Sequence, residues 1–279
     1  MPYVTVNKLN FYYRDDDFTD PWEEPEVVFI QHGWGRSSKF FYHWVPGLAR
    51  DYRVLRRDMR GHGQSDDTPA SDWTVDNLIE DMRGFLDELG VAKVHYIGES
   101  AGGVLGAAFA AKYPERIRSL TLMSTPLSDP TRGSDKYGYD DLAAKIESTP
   151  IDEFVEMLVK GRGLVPVSPG HEQWMASEWR KNRPASLAAL ARLFPNIDLA
   201  PVVPNIAAPT LILAPGNSHT APLEHQKQMH QLMRGSRMEI IDGSGHELYF
   251  ERFDECFTAF RSFLASVGTG FKEQAGSVP

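Results

Sequence analysis

The chain has 279 residues, 24% of them charged and 42% hydrophobic, with a formal net charge of −9 and a pI near 5.5. That length suits one large α/β domain, alone or carrying an insertion, and the acidity argues against a nucleic-acid partner, the basic clusters at Arg56-Arg57 and Arg180-Lys181-Asn182-Arg183 being short. A single cysteine, Cys256, excludes an internal disulfide; no apolar run is long enough to span a bilayer, and the first residues lack the pattern of a signal peptide, so a cytoplasmic protein without a membrane partner is expected.

Residues 3–6 and 9–13 alternate in polarity around Asn7-Lys8 and predict a β-hairpin, followed by an acidic surface loop over 15–26. Residues 27–30, Val-Val-Phe-Ile, form a continuous apolar run, as expected of a strand buried on both faces. Residues 52–55 predict a second such strand. A helix follows over 74–89, with Leu78, Met82, Phe85 and Leu89 at helical spacing and Gly90 as its stop. Residues 94–97, 117–123, 209–213 and 238–241 predict further strands, and 101–112 a helix rich in small residues. Strands alternating with helices imply a mostly parallel sheet with right-handed crossovers. The exception is 126–205, where short helices over 141–146, 151–159, 172–181 and 186–193 predict a helical insertion. A last helix over 253–265 places Cys256 on a buried face.

Gly98-Glu99-Ser100-Ala101-Gly102 fits G-x-S-x-G, directly after a strand and directly before a helix. Such a turn lifts the Ser100 hydroxyl above the sheet at a helix N-terminus, where N–H groups and the helix dipole favour negative charge. His32-Gly33-Trp34-Gly35 follows the earlier buried strand and reaches the same sheet edge. The backbone N–H groups of Trp34 and Ala101 are then candidates for an oxyanion hole. His246, in Asp242-Gly243-Ser244-Gly245-His246 after the last strand, arrives at that edge as the candidate general base. His95 falls inside a strand and His62 in a Gly-rich loop, and both read as structural.

In this order, the strand with His-Gly-Trp-Gly, Asp58-Met59-Arg60-Gly61-His62-Gly63, Gly-Glu-Ser-Ala-Gly, the helical insertion and Gly245-His246-Glu247, the chain resembles the α/β-hydrolase superfamily from about residue 3 to 264. The resemblance implies an α/β-hydrolase fold, with a mostly parallel sheet flanked by helices over residues 1–125 and 206–279 and a helical cap over 126–205. It also assigns the oxyanion donors to Trp34 and Ala101. One part of the pattern is missing. The superfamily's usual acid position, after the strand at 210–213, falls on Ser218 or His219, and the alternative one falls on Ser124 or Thr125. Asp129 is the nearest carboxylate to the latter and the first candidate for third catalytic member. A polar residue such as Ser124 or Ser218 orienting His246 is the second; an unexpected acid, or His219, is the third. Glu99 and Glu247 are expected to point away or toward substrate, and Asp58 and Asp242 to be structural.

The insertion supplies Tyr137, Tyr139, Phe154, Met157, Leu158, Trp174, Met175, Trp179 and Phe194. Trp174 and Trp179 are candidates for lining an apolar substrate space. Arg132, Lys136, Arg162 and Arg183 are weaker candidates for holding a carboxylate. The leading expectation is hydrolysis of a carboxylic ester, lactone or related acyl bond of a small, largely apolar molecule, without metal or organic cofactor, by a monomer or homodimer. Alternatives are a C–C bond hydrolase, a cofactor-free dioxygenase of the same superfamily (which carries a histidine where this chain has Arg36) and a non-catalytic ligand receptor.

Overall fold

In the computed structural model, which describes residues 2–129, 139–161 and 168–268, eight strands form one sheet in the order β1-β2-β4-β3-β5-β6-β7-β8. The hairpin of β1 (Tyr3–Val6) and β2 (Leu9–Asp16) turns through Asn7 and Lys8, both at positive φ, and pairs antiparallel with β4 (Arg53–Arg57). β3 (Val27–Gln31), β5 (Val94–Glu99), β6 (Ile117–Met123), β7 (Thr210–Pro215) and β8 (Arg237–Ile241) complete a parallel array with β4. β3, β5 and β7 are buried at every position, the mostly apolar strands that a parallel sheet covered on both faces requires.

Helix α1 (Val75–Glu88) is capped by the Thr74 hydroxyl, which accepts from the Asn77 N–H at 3.1 Å. It turns Leu78, Ile79, Met82, Phe85 and Leu86 onto the sheet and ends at Gly90 with φ +67°. Helix α2 (Ala101–Lys112) has no polar face over most of its length and is accordingly buried from Ala101 to Ala107. Its small side chains permit the approach: the ring of Tyr96 occupies the place a methyl group on Gly106 would need.

Between β6 and β7 lie α3 (Tyr139–Ser148), α4 (Ile151–Gly161), α5 (Pro169–Trp179) and α6 (Pro184–Leu193), close to the four helices expected. One isolated bridge, Ser128 to Asp198, closes the base of this segment, where no strand pairing was expected. Arg132, Lys136, Tyr137 and Arg162 lie outside the described residues, as does the side chain of Tyr139. Two helices had no sequence forecast: α7 (Leu223–Leu232) and the single turn α8 (Leu248–Glu251). The last helix, α9 (Phe253–Ser266), buries Cys256, whose thiol is pushed up to about 12 by loss of solvent. Among the described residues, no helix is long and apolar enough to cross a membrane.

Candidate active site

Ser100 follows β5 without a break, at φ +52° and ψ −116°. A non-glycine residue held there costs on the order of 1–3 kcal/mol and persists only where its surroundings leave no alternative. Here its N–H donates to the Met123 carbonyl at 2.9 Å, and its carbonyl accepts the Val104 N–H at 3.0 Å. The flanking glycines are required. A Cβ on Gly98 would stand 2.5 Å from the Gly102 carbonyl oxygen, and one on Gly102 would stand 2.2 Å from that of Gln31.

His246 lies between β8 and α8 and is tied to the same edge through its main chain. Ser124, one residue past Met123 and itself at φ +46°, donates from Oγ to the His246 carbonyl at 2.7 Å. The loop after β7 is laced to the loop after β8 by Gly216 N–H to Ile241 O at 3.1 Å and Asn217 N–H to Ser244 O at 2.9 Å. It therefore delivers Ser218 Oγ to 3.1 Å and Thr220 Oγ1 to 2.9 Å from His246 Nδ1. Ser218 is in turn fixed by accepting the Ala221 N–H at 3.1 Å. Asp129 stands beyond the end of β6, and its negative charge acts on the imidazole of His225 in α7.

The other side of the His246 ring meets Glu99. Nε2 lies 3.5 Å from Glu99 Oε1, and Glu99 Oε2 accepts the Gly33 N–H at 2.8 Å. Glu99 thus points toward the site rather than away from it, one of the two directions expected of it. β5 runs on through Glu99 instead of ending at Ile97, and this carboxyl is folded between the loop after β3 and the imidazole. Burial pushes Glu99 up to about 7, against the opposing pull of Arg36 and the Gly33 N–H. Glu247 is also accounted for: it forms a buried ion pair with Arg36 and accepts the Tyr249 hydroxyl at 2.8 Å.

The loop that carries Trp34 is held from both sides. His32 Nε2 accepts the Met59 N–H at 2.9 Å, and the ring stays neutral because burial lowers its pKa well below normal. The Trp34 indole donates to the Leu187 carbonyl in α6 at 2.9 Å and meets Trp179 edge to face at 5.2 Å. Trp179 itself is 2% exposed, packed over Gly35 and under the Arg36 guanidinium, 4.6 Å away. Trp174 lies elsewhere, against Phe40 at 4.9 Å, and lines a cavity of about 560 Å³ that neither Ser100 nor His246 borders. Ala101 opens α2 and is buried. His95 and His62 are buried as structural residues, bonded to Ser119 and to the Arg60 carbonyl. Asp58 accepts the N–H groups of Ser38 and Gln64.

Thr220 and Glu99 were not read as partners of His246 from the sequence. For Thr220 the signal was the run Ser218-His219-Thr220, two hydroxyls where the pattern carries an acid. For Glu99 it was the unbroken strand leading into Ser100.

Residues 26–147 match the alpha/beta hydrolase fold family. The chain is 29% identical over 258 residues to a 2-hydroxy-6-oxo-2,4-heptadienoate hydrolase of Pseudomonas putida, covering 86% of this chain and 89% of the relative. It is 27% identical over 263 residues to a 2-hydroxy-6-oxononadienedioate/2-hydroxy-6-oxononatrienedioate hydrolase of Escherichia coli, covering 89% and 90%. Among solved structures it superposes on an enol-lactonase from Burkholderia xenovorans with a TM-score of 0.86 at 23% identity, covering 95% of this chain and all of the other. An esterase from Exiguobacterium antarcticum gives 0.83 at 20% identity, covering 94% and 98%.

Proposed function

The chain belongs to the α/β-hydrolase superfamily, and from that premise we propose that it is a serine hydrolase acting on an ester, lactone or related acyl bond of a small, largely apolar substrate. One observation carries this reading: Ser100 stands on a strained turn whose N–H bonds Met123, and the next residue, Ser124, holds the main chain of His246. Two distant chain segments are thereby fixed at one sheet edge.

Ser100 Oγ attacks the substrate carbonyl while His246 Nε2 takes its proton. The N–H groups of Trp34 and Ala101 receive the oxyanion, an arrangement in which each donor is typically worth roughly 10²–10³ in rate. His246 returns the proton to the leaving oxygen, and water then releases the acyl group by the reverse sequence. The role usually taken by a carboxylate at Nδ1 falls to Ser218 and Thr220, which orient the ring but carry no charge. The counter-charge for the imidazolium comes instead from Glu99, on the Nε2 side. The helices between β6 and β7 act as the cap.

A second reading is favoured by the two relatives that match most of the chain: a 2-hydroxy-6-oxo-dienoate as substrate, with water added at the 6-keto carbon and the adjoining C–C bond broken. The same serine and histidine serve both reactions.

The test is labelling with a fluorophosphonate probe together with hydrolysis of p-nitrophenyl butyrate. Wild type is expected to label and turn over, and Ser100→Ala to do neither. Labelling and turnover that survive Ser100→Ala would overturn the proposal, as would a wild type that binds ligands but never reacts. Loss of a dienoate chromophore faster than ester cleavage would select the second reading.

A further inference from the structure

We infer that the cavity lined by Arg14, Arg56, Lys39, Tyr42 and Trp174 is a second ligand site, built for a small aromatic anion such as an aryl phosphate or aryl carboxylate. The cavity holds about 560 Å³, room for a single-ring ligand, and is bounded also by Ser168, Gly170 and His171 at the start of α5.

The charge arrangement is the first argument. Arg14 and Arg56 are direct cross-strand partners in the β2–β4 ladder, a placement that puts two like charges side by side. Only one is answered among the described residues. Arg56 is buried, bonds Asp16 through Nη2 at 2.6 Å and Nε at 3.2 Å, and donates from Nη1 to the Ser38 carbonyl at 2.9 Å. Arg14 is in no described salt bridge, and its Nε is buried with no hydrogen-bond partner among the described residues. Lys39, next in sequence to the Ser38 that Arg56 bonds, lies 3.1 Å from Glu178, but that carboxylate is shared with Lys181. Three cations therefore line the space, and the carboxylates beside it, Asp16 and Glu178, are already engaged. In a chain of net charge −9 this is a local reversal of sign. Asp58, which also feels Arg14, is occupied by the Ser38 and Gln64 N–H groups.

The second argument is the aromatic part of the lining. Trp174 stands edge to face with Tyr42 at 5.6 Å, and the His171 ring stacks beside it at 5.9 Å. The first turn of α5 faces the same space, with Ser168 as its cap, and adds the positive end of a helix. A guanidinium fork suits a carboxylate or phosphate, and an aromatic wall suits a flat ring. Phe40 and Arg36 separate the space from the catalytic loop: Phe40 packs on Trp174, and Arg36 lies 5.2 Å over Phe40. The inference is thus independent of the reaction proposed for Ser100.

Calorimetric titration with phenyl phosphate tests it, using wild type, Arg14→Gln and protein whose Ser100 has first been blocked with fluorophosphonate. Saturable one-to-one binding is expected, weakened about tenfold or more by Arg14→Gln and by a shift from 50 to 500 mM salt, and unchanged by the block at Ser100. Inorganic phosphate alone should bind at least tenfold more weakly, and Trp174→Leu should remove that difference. Ester turnover is expected to be unchanged in Arg14→Gln, which shows that the variant is folded. Absence of saturable binding, equal affinity in Arg14→Gln, or loss of binding on blocking Ser100 would each overturn the assignment.

Discussion

Nδ1 of His246 lies 2.9 Å from Oγ1 of Thr220, a hydroxyl standing where this superfamily's pattern leads one to look for a carboxylate. With Ser218 Oγ at 3.1 Å, the ring is oriented by two neutral groups. A triad carboxylate can be worth up to about 10⁴ in turnover, so the present arrangement leaves room for gain. Ser218→Asp is expected to raise kcat on p-nitrophenyl butyrate about tenfold or more, while Thr220→Val lowers it several-fold. Steady-state kinetics on the two variants check both directions.

Glu99 makes the site sensitive to pH. Its folded pKa of about 7 lies above the ordinary 4.5, so between those values the native state keeps a proton that the unfolded chain releases. The stability linked to this proton is intact below about pH 4.5 and is lost as pH rises to 7, a change of about 3 kcal/mol at one pKa unit per 1.4 kcal/mol. Glu99→Gln should therefore gain on wild type in urea midpoint between pH 5 and pH 8. Its turnover should fall below wild type above pH 7, where the ionised carboxylate faces the imidazolium, with the deficit fading below pH 6. Parallel pH profiles in the two proteins would remove Glu99 from this role.

The Arg36–Glu247 pair is buried on both sides, at 4% and 5% side-chain exposure. Removing one partner strands the other charge, which typically costs about 3–5 kcal/mol. Arg36→Met is expected to lower stability by that amount, and Arg36→Met with Glu247→Leu to recover most of it. Thermal unfolding of the two single variants and the double variant gives the coupling energy directly.

Two glycines separate crowding from backbone strain. A Cβ on Gly102 would stand 2.2 Å from a carbonyl oxygen of β3, whereas one on Gly235, at φ +77°, would meet nothing within 4 Å. Gly102→Ala is expected to cost about 2–4 kcal/mol and abolish labelling of Ser100. Gly235→Ala should cost about 1 kcal/mol and leave labelling intact. Urea titrations and probe labelling distinguish them.

The strands, α1, α2 and the helices between β6 and β7 were legible because each carries its own period or unbroken apolar run. α7 was not. Of its ten residues only Gln226 and Met229 are buried, so no apolar stripe marks it. The places of Ser100 on a strand-to-helix turn and of His246 in the loop after the last strand could be read. Of the two hydroxyls at Nδ1, Ser218 was the second candidate and Thr220 went unnamed, because both are set by backbone lacing between two loops, and serines and threonines occur along the whole chain. The first candidate, Asp129, was named by proximity in sequence, and its charge acts on His225 in α7. Glu99 was left between two directions because its strand was ended two residues early.

The bond from the Trp34 indole to the Leu187 carbonyl joins the loop beside the reacting carbonyl to the first turns of α6. On the proposed reading, admission of a guest past α6 and alignment of the Trp34 N–H would then depend on this one contact. A lesion on α6, remote from the hydroxyl nucleophile, would disturb affinity and velocity together, so that neither kinetic constant could drift alone.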